Sequence, residues 1–236
     1  MKILPVDLPG QAIYDYFFLK TDHPLIIHSE NFEDDTIKPS YFFRNYKNMP
    51  KPEQKALGMC RGKILDVGAC AGSHALWLQK KGLDVTALEI SEKCCRVMQQ
   101  RGINNIEQSN IFEYENNQFD TILLLMNGTG IAGTLPRLCD LFVHLKKLLR
   151  PGGQILIDSS DLIYLYEDGV VCLMPDTEKY YGELQYQFEY KGMKGKSFPW
   201  LYTDIETLQQ IVLKSHLKIK RLIKGTHYDY LAQIEE

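Results

Sequence analysis

The feature that most constrains the fold is a regular alternation of short apolar runs with amphipathic stretches between residues 62 and 158. Each run is apolar throughout, as in a strand that is buried on both faces of a sheet. The stretches between the runs have helical spacing and end at glycine or proline. We therefore predict a parallel sheet that is covered by helices on both faces. The predicted strands are 63–67, 83–88, 105–107, 121–126 and 154–158.

The alternation stops after residue 158. Residues 183–190 and 196–202 flank a glycine-containing turn and predict a β-hairpin that is rich in aromatic residues. Residues 218–223 and 227–234 predict two further strands, which must pair antiparallel because only a short turn joins them. The first sixty residues are aromatic and broken by prolines, and they favour short helices at about 10–20 and 41–48. We thus expect a helical N-terminal cap over 1–60 and a main domain over 61–236 with the hairpin inserted at about 181–202.

Composition excludes several classes of protein. With 27 Lys and Arg against 30 Asp and Glu, the formal net charge is -3, unlike that of a strongly basic nucleic-acid-binding protein. No apolar run is long enough to span a bilayer, and Pro5, Asp7 and Pro9 interrupt the place where a signal peptide needs its apolar core. We expect a cytoplasmic protein with no membrane partner.

The six cysteines form no CxxC pair. A chain of this length needs no disulfide to hold its core, so we expect reduced, mostly buried thiols and no metal site. They are Cys60, Cys70, Cys94, Cys95, Cys139 and Cys172.

The stretch most indicative of chemistry is DVGACAGS, residues 66–73, between the first predicted strand and the first helix; we call it the glycine loop. Its glycines permit a tight turn and close approach of a ligand, and the helix that begins at Ser73 offers free N–H groups. Glu89 ends the second strand, where a carboxylate can accept hydrogen bonds from ribose hydroxyls. Together these features predict a pocket for a ligand that contains adenosine.

Two cofactor classes use such a pocket. The dinucleotide pattern G-x-G-x-x-G needs glycine at positions 70 and 73 and is met only at Gly68. The pattern D-x-G-x-G-x-G is met at Asp66, Gly68 and Gly72, with Cys70 as the one departure. An acidic first residue suits an ammonium or sulfonium group and repels a pyrophosphate, so the second pattern is favoured.

Five segments occur in the order and spacing of one enzyme family: ILDVGACAGSHAL, ALEIS, QSNIFEY, FDTILLLMNG and LLRPGGQILID. Over roughly residues 60–234 the chain resembles the class I S-adenosylmethionine-dependent methyltransferases. The resemblance implies an α/β, Rossmann-like, doubly wound sheet of seven strands in the order 3-2-1-4-5-7-6, with strand 7 antiparallel. It also implies S-adenosyl-L-methionine as cofactor.

Carried over residue by residue, the resemblance implies that Asp66 holds the loop or the cofactor's amino group and that Glu89 binds the ribose. Met126 and Asn127 end strand four beside the reactive methyl group. Asn110 stands where the family often has an acidic residue, and its amide oxygen can still accept a hydrogen bond. The implied cofactor-binding residues are Asp66, Gly68, Ala69, Cys70, Gly72, Ser73, Glu89, Ile90, Asn110, Ile111, Phe112, Met126 and Asn127.

Further candidates come from residue chemistry alone. Arg44, in the cap, suits bidentate recognition of the cofactor's carboxylate, with Tyr46 beside it. His74 follows the glycine loop and is either a base or a packing residue. Tyr181 and Trp200 belong to the aromatic hairpin region and either line an acceptor site or hold the hairpin in place. Asn127 either orients a nucleophile or is simply a turn residue.

We predict an enzyme that moves a methyl group from S-adenosylmethionine to a small or medium-sized nucleophile by in-line displacement, with no catalytic residue assigned. A small-molecule partner is favoured over nucleic acid, although a basic run at 214–224 keeps an RNA methyltransferase open. The sequence also leaves open a non-catalytic S-adenosylmethionine-binding domain and a nicotinamide-dependent oxidoreductase.

Overall fold

The computed structural model describes residues 6–30, 32–167 and 179–236, so that Cys172 lies outside the described residues. The helices are α1 (Leu8–Leu19), α2 (Lys51–Met59), α3 (Ser73–Lys80), α4 (Glu92–Gln100), α5 (Leu135–Leu148), α6 (Tyr164–Glu167) and α7 (Ile205–Lys214). The strands are β1 (Leu25–Ser29), β2 (Asp35–Ile37), β3 (Lys63–Val67), β4 (Asp84–Glu89), β5 (Asn105–Gln108), β6 (Phe119–Leu124), β7 (Leu149–Ser160), β8 (Glu183–Tyr190), β9 (Met193–Lys194), β10 (Phe198–Leu201), β11 (Lys218–Lys224) and β12 (Asp229–Glu235).

Seven strands form a large sheet in the order β11-β12-β7-β6-β3-β4-β5. The strands from β3 to β7 pair parallel with their neighbours, whereas β12 pairs antiparallel with both β7 and β11. Numbered along the sheet's own strands, this is the order 3-2-1-4-5-7-6 with an antiparallel strand 7. The predicted α/β Rossmann-like fold is confirmed.

Helices bury both faces of the large sheet, as its uniformly apolar strands require. On one face, Phe142 of α5 and Val212 of α7 are fully buried in the main core cluster. On the other face, Leu57 of α2 and Leu78 of α3 pack in a second cluster with Ile64 of β3. Because helices cover both faces, a ligand site can form at the edge where the parallel strands have their carboxyl ends.

A smaller sheet, here called the cover sheet, consists of β10-β8-β1-β2 with β9 paired to β8. The predicted hairpin is present as β8 and β10, with Phe198 opposite Tyr186. The cap, however, is not purely helical, because β1 and β2 belong to this sheet and Ile27 lies opposite Phe188. Residues 41–48 form only two 3-10 turns, and α2 was not predicted from the sequence.

Helix α1 ties the cover sheet to the large sheet. At its first end Ser91 Oγ, in the loop after β4, donates to Asp7 Oδ2 at 2.5 Å. In its second half Asp15 Oδ2 accepts from Tyr190 Oη at 3.0 Å and from Lys191 Nζ at 2.7 Å. The helix and the cover sheet thus close over the carboxyl edge of the large sheet. Within the described ranges, every helix is too short or too polar to cross a bilayer.

Candidate active site

A cavity of about 390 Å³ lies between the carboxyl edge of the large sheet and its cover. From the large sheet its wall takes Asp66, Val67, Gly68, Ala69, Cys70, Ser73, His74, Leu125, Met126, Asn127 and Ile131. From the cover it takes Pro9, Ile13, Leu25, Ile27, Ile37, Phe42, Arg44, Tyr186, Phe188, Trp200 and Tyr202. Its volume is within the range of pockets that bind small molecules.

The glycine loop turns tightly around the end of β4. Gly68 and Gly72 have φ values of +68° and +79°, and a Cβ added at Gly72 would lie 2.2 Å from Cδ1 of Ile103. Cys70 also has a positive φ, of 56°, which costs a non-glycine residue roughly 1–2 kcal/mol. Cys70 therefore adopts the left-handed conformation that a glycine would accept more readily, and it lines the cavity.

Asp66 is a buried carboxylate on the cavity wall. Its exposed fraction is 2%, and its Oδ2 has no hydrogen-bond partner within the described structure. Burial raises the pKa of Asp66 to about 6. A buried carboxylate in this state is stabilised by a cation, and an ammonium or sulfonium group in the cavity can supply it.

Arg44 is held by a residue that was not predicted from the sequence, Glu53 of α2. Glu53 is buried, and its Oε1 accepts from Arg44 Nη2 while its Oε2 bonds His74 Nε2 at 2.8 Å. Arg44 also donates from Nη1 to the carbonyl oxygen of Tyr41 at 2.8 Å. The Nε of Arg44 is buried without a partner among the described residues, so it remains a donor for an anionic group.

The same contact bears on the two alternatives for His74, a base or a packing residue. Burial opposes the charge on His74, but the bond to Glu53 and the nearby charges of Asp66 and Glu53 outweigh it and raise the pKa of His74. The pKa of Glu53 is lowered, because the bond and charge of His74, together with Arg44, outweigh its burial. His74 Nε2 is therefore bonded to Glu53, and this nitrogen is not free to act as a base.

Two hydrogen bonds to Asp158, in β7, hold the turn after β6 in place. Met126 and Asn127 have φ values of 67° and 62°, and the N–H groups of Met126 and Gly128 donate to Asp158 at 3.1 and 3.0 Å. Burial raises the pKa of Asp158 to about 6. The Asn127 side chain donates to the carbonyl oxygen of Leu201 at 3.0 Å. The side chain therefore anchors β10, and the backbone of its turn faces the cavity.

Glu89 does not line the cavity, because its carboxylate is occupied by backbone. Oε2 accepts from the N–H of Cys70 at 2.8 Å, and Oε1 accepts from those of Ile90 and Ser91 at 2.8 and 2.9 Å. A carboxylate offers about four acceptor positions, so one is left for a ribose hydroxyl rather than two. Glu89 thus also stabilises the glycine loop.

Other predicted cofactor-binding residues lie outside the cavity, after the ends of β4 and β5. Ile90 is 69% exposed, and Asn110 Oδ1 accepts from the N–H of Phe112 at 3.1 Å. Ile111 is buried in the core, and the Phe112 ring lies 4.6 Å from the guanidinium of Arg137. These residues follow the ends of β4 and β5 along the chain, whereas Gly72 precedes α3 and packs closely against Ile103 and Met98.

Two predicted acceptor residues lie elsewhere. The Tyr46 ring stacks on Trp77 at 4.4 Å, and Tyr181 Oη donates to Asp161 at 2.6 Å, so both are engaged outside the cavity. Trp200 does line the cavity. So do Tyr186 and Tyr202, whose hydroxyls lie 3.3 Å apart. The alternation of aromatics along the hairpin was the signal that could have selected these two tyrosines.

Comparison with known proteins decides the family. The family model for a methyltransferase domain matches residues 65–157. The chain is also 42% identical to a methyltransferase from Bacteroides fragilis that was solved with S-adenosyl-L-homocysteine; the match covers 97% of this chain and 94% of that one, with a TM-score of 0.87. The chain belongs to the S-adenosylmethionine-dependent methyltransferases. The predicted family and cofactor class are confirmed.

More distantly related structures share the fold of this chain. CcbJ from Streptomyces caelestis is 12% identical, with 79% of this chain and 90% of that chain covered and a TM-score of 0.63. A methyltransferase from Clostridium acetobutylicum is 12% identical, with 81% and 92% covered and a TM-score of 0.59. Identity at this level shows the fold alone. None of the curated proteins compared with the chain matches it.

Proposed function

We propose that this methyltransferase transfers the methyl group of S-adenosylmethionine to a small-molecule acceptor by in-line displacement. In this proposal residues 61–236 form the methyltransferase domain, and residues 1–60 form a cap that helps close its site. One observation carries the proposal: Asp66 and Arg44 line the same cavity, and each has a buried polar atom, Asp66 Oδ2 and Arg44 Nε, without a hydrogen-bond partner among the described residues. An acceptor and a donor of opposite charge match the ammonium and carboxylate of an amino acid.

The residues present fit the cofactor's chemistry. In the proposal Asp66 holds the ammonium and Arg44 the carboxylate, while the backbone of the glycine loop lies along the methionine chain. Glu89 offers its remaining acceptor position to the ribose, and Ile90 with residues 110–112 flanks the adenine. The cofactor supplies a methyl group that a sulfonium already makes electrophilic.

The chain's own contribution is then to orient and enclose. Glu53 fixes Arg44, Asp158 fixes the turn after β6, and α1 with the cover sheet limits access of water to the cavity. Alignment of two reactants and exclusion of water are sufficient sources of rate for such a transfer. No residue of the described structure has to form a covalent bond.

The enclosure also supports a small acceptor over a nucleic acid. The cavity wall includes residues of α1 and of strands β1, β2, β8 and β10 as well as the large sheet, and a site surrounded in this way suits a small molecule better than a polymer backbone. The basic run at 214–224 lies mostly on β11, the edge strand that β12, β7 and β6 separate from β3. Phosphate contacts there would be far along the sheet from the glycine loop.

Calorimetric titration with S-adenosylmethionine and S-adenosylhomocysteine tests the proposal. The wild-type chain should bind both, and D66N should bind S-adenosylmethionine about 10- to 100-fold more weakly because the charge-assisted bond is lost. R44K keeps a positive charge but removes Nε, so it should weaken binding as well. D140N, at an exposed position of α5, is the matched control. A folded protein that binds neither ligand would refute the proposal.

A further inference from the structure

The half of the cavity formed by the cover sheet carries no charge among the described residues. Charged side chains on the wall are Asp66, Arg44 and His74, and they cluster: Glu53 bonds both Arg44 and His74, and Asp66 acts electrostatically on His74. The opposite wall is apolar or aromatic throughout. It is formed by Ile27, Ile37, Tyr186, Phe188, Trp200 and Tyr202.

From this wall we infer that the acceptor is an uncharged small molecule with an apolar or aromatic body, whose nucleophilic atom holds a free lone pair at neutral pH. A ring nitrogen of a heteroaromatic compound or a thioether sulfur has this chemistry. The inference rests on the proposed function, because it assumes that the charged cluster is occupied by the cofactor's amino-acid group.

The aromatic wall is fixed in place, so it can select an acceptor by shape. A Cβ added at Gly130 would lie 2.2 Å from Cε2 of Trp200, which means that the indole packs directly on the turn after β6. Asn127 holds the adjacent carbonyl of Leu201 at 3.0 Å. Planar rings offer large apolar contact at low entropic cost, which suits a flat acceptor.

The free lone pair follows from how the possible bases on the described cavity wall are engaged, with Asp66 assigned to the cofactor's ammonium group in the proposed function. His74 is paired with Glu53, and the Asn127 amide is bonded to Leu201. The hydroxyls of Tyr186 and Tyr202 are bonded to each other, and burial raises the pKa of both. An acceptor that must lose a proton before it reacts has no side chain here to receive it.

The transfer then balances without a proton. The acceptor's lone pair forms the new bond to the methyl carbon while the carbon–sulfur bond breaks, and the sulfur keeps that electron pair. The positive charge moves from the sulfur to the acceptor atom. Aromatic rings attract a cation, so the rings of Trp200, Tyr186 and Phe188 on this wall stabilise the charge that arrives on the acceptor.

Three matched two-ring probes test the inference: isoquinoline, with a neutral ring nitrogen; 2-naphthol, neutral but dependent on a base; and anionic 2-naphthoate. Binding is followed by tryptophan fluorescence in W77F, in which Trp200 is the only remaining tryptophan, with S-adenosylhomocysteine present. Trp77 stacks on Tyr46 outside the cavity, so W77F leaves the wall intact. Methyl transfer is followed by mass spectrometry of the wild-type protein with S-adenosylmethionine.

We expect isoquinoline and 2-naphthol to bind at least roughly tenfold more tightly than 2-naphthoate, and only isoquinoline to be methylated. Preferred binding of the anion, no binding of isoquinoline, or methylation of 2-naphthol alone would overturn the inference. W200L should weaken isoquinoline binding by roughly tenfold, measured by calorimetry, with S-adenosylhomocysteine affinity unchanged. If S-adenosylhomocysteine itself fails to bind, the proposed function falls; if it binds and the probes disagree, only the acceptor class falls.

Discussion

At the scale of a single residue, Asp66 should make the affinity for S-adenosylmethionine depend on pH. Its pKa is raised to about 6 by burial, and a cationic ligand requires the ionised form. The affinity for S-adenosylmethionine should therefore rise as the pH increases through about 6 and level off above it. Calorimetry at several pH values between about 5 and 8 checks this, and D66N should remove most of the dependence. A flat profile in the wild-type protein would contradict it.

The same carboxylate should destabilise the free protein. A pKa raised above the ordinary value of 3.8 means that the folded state binds the proton more tightly, so stability falls as the pH rises from about 4 to 6 and stays low above. D66N should therefore increase the free energy of unfolding by about 1–3 kcal/mol at neutral pH. Urea unfolding without ligand measures this, and D140N should have no such effect. A less stable D66N would argue against it.

Glu53 is the residue whose loss should cost the most stability. E53A leaves the charges of Arg44 and His74 buried without their partner, and breaking a buried ion pair in this way costs about 3–5 kcal/mol. The control is E92A, which removes the exposed pair between Glu92 and Arg96 and should cost no more than about 1 kcal/mol. Urea unfolding compares the two variants. Equal losses would show that the buried network contributes nothing beyond a surface pair.

At the scale of elements, the attachment of α1 to β8 depends on the hydrogen bonds of Asp15. D15A removes the acceptor that Tyr190 and Lys191 share, and it should loosen α1 from β8. Hydrogen exchange should then quicken in α1 and β8 while β3 and β6 stay protected. D140A is the control, since it changes an exposed residue of α5. Exchange in α1 that matches the wild type would contradict the bridging role of Asp15.

The strands of the large sheet were predictable because each is encoded locally. Residues 63–67 and 121–124 are apolar runs with clear ends, and such a run indicates a strand that is buried on both faces of its sheet. The strands β1 and β2 were not predicted, because β1 pairs with β8, and Ile27 and Phe188, which lie opposite each other, are 161 residues apart in the chain. Short segments paired over that distance leave no periodic signal.

The residues of the candidate site were likewise predictable only in part. Asp66, Gly68 and Ala69 were predicted from one contiguous motif, and all three line the cavity. Glu53 was not, because an acidic residue in the first turn of a helix is ordinarily a solvent-exposed one. Its importance arises only when the fold brings positions 44 and 74 to its two oxygens.

For the whole molecule, ligand binding should act on both sheets at once, because the cavity wall draws on each of them. At a hundred times its dissociation constant, S-adenosylhomocysteine should add about 2.7 kcal/mol to the stability of the folded state. That corresponds to a rise in Tm of about 5–10 °C for a domain of this size. Differential scanning fluorimetry measures it. No shift at a saturating concentration established by calorimetry would show that the ligand does not bind the folded state in preference to the unfolded chain.

The pairing of β1 with β8 also has a consequence for the newly made protein. A ribosome adds about 5–20 residues per second, so the Leu-Ile-Ile segment of β1 leaves it roughly 8–30 s before its partner is made. Throughout that interval an apolar strand has unpaired edges, the condition under which nascent chains aggregate. The strand that later encloses the cavity is thus exposed during synthesis, and a chaperone that binds extended apolar peptides would find it there.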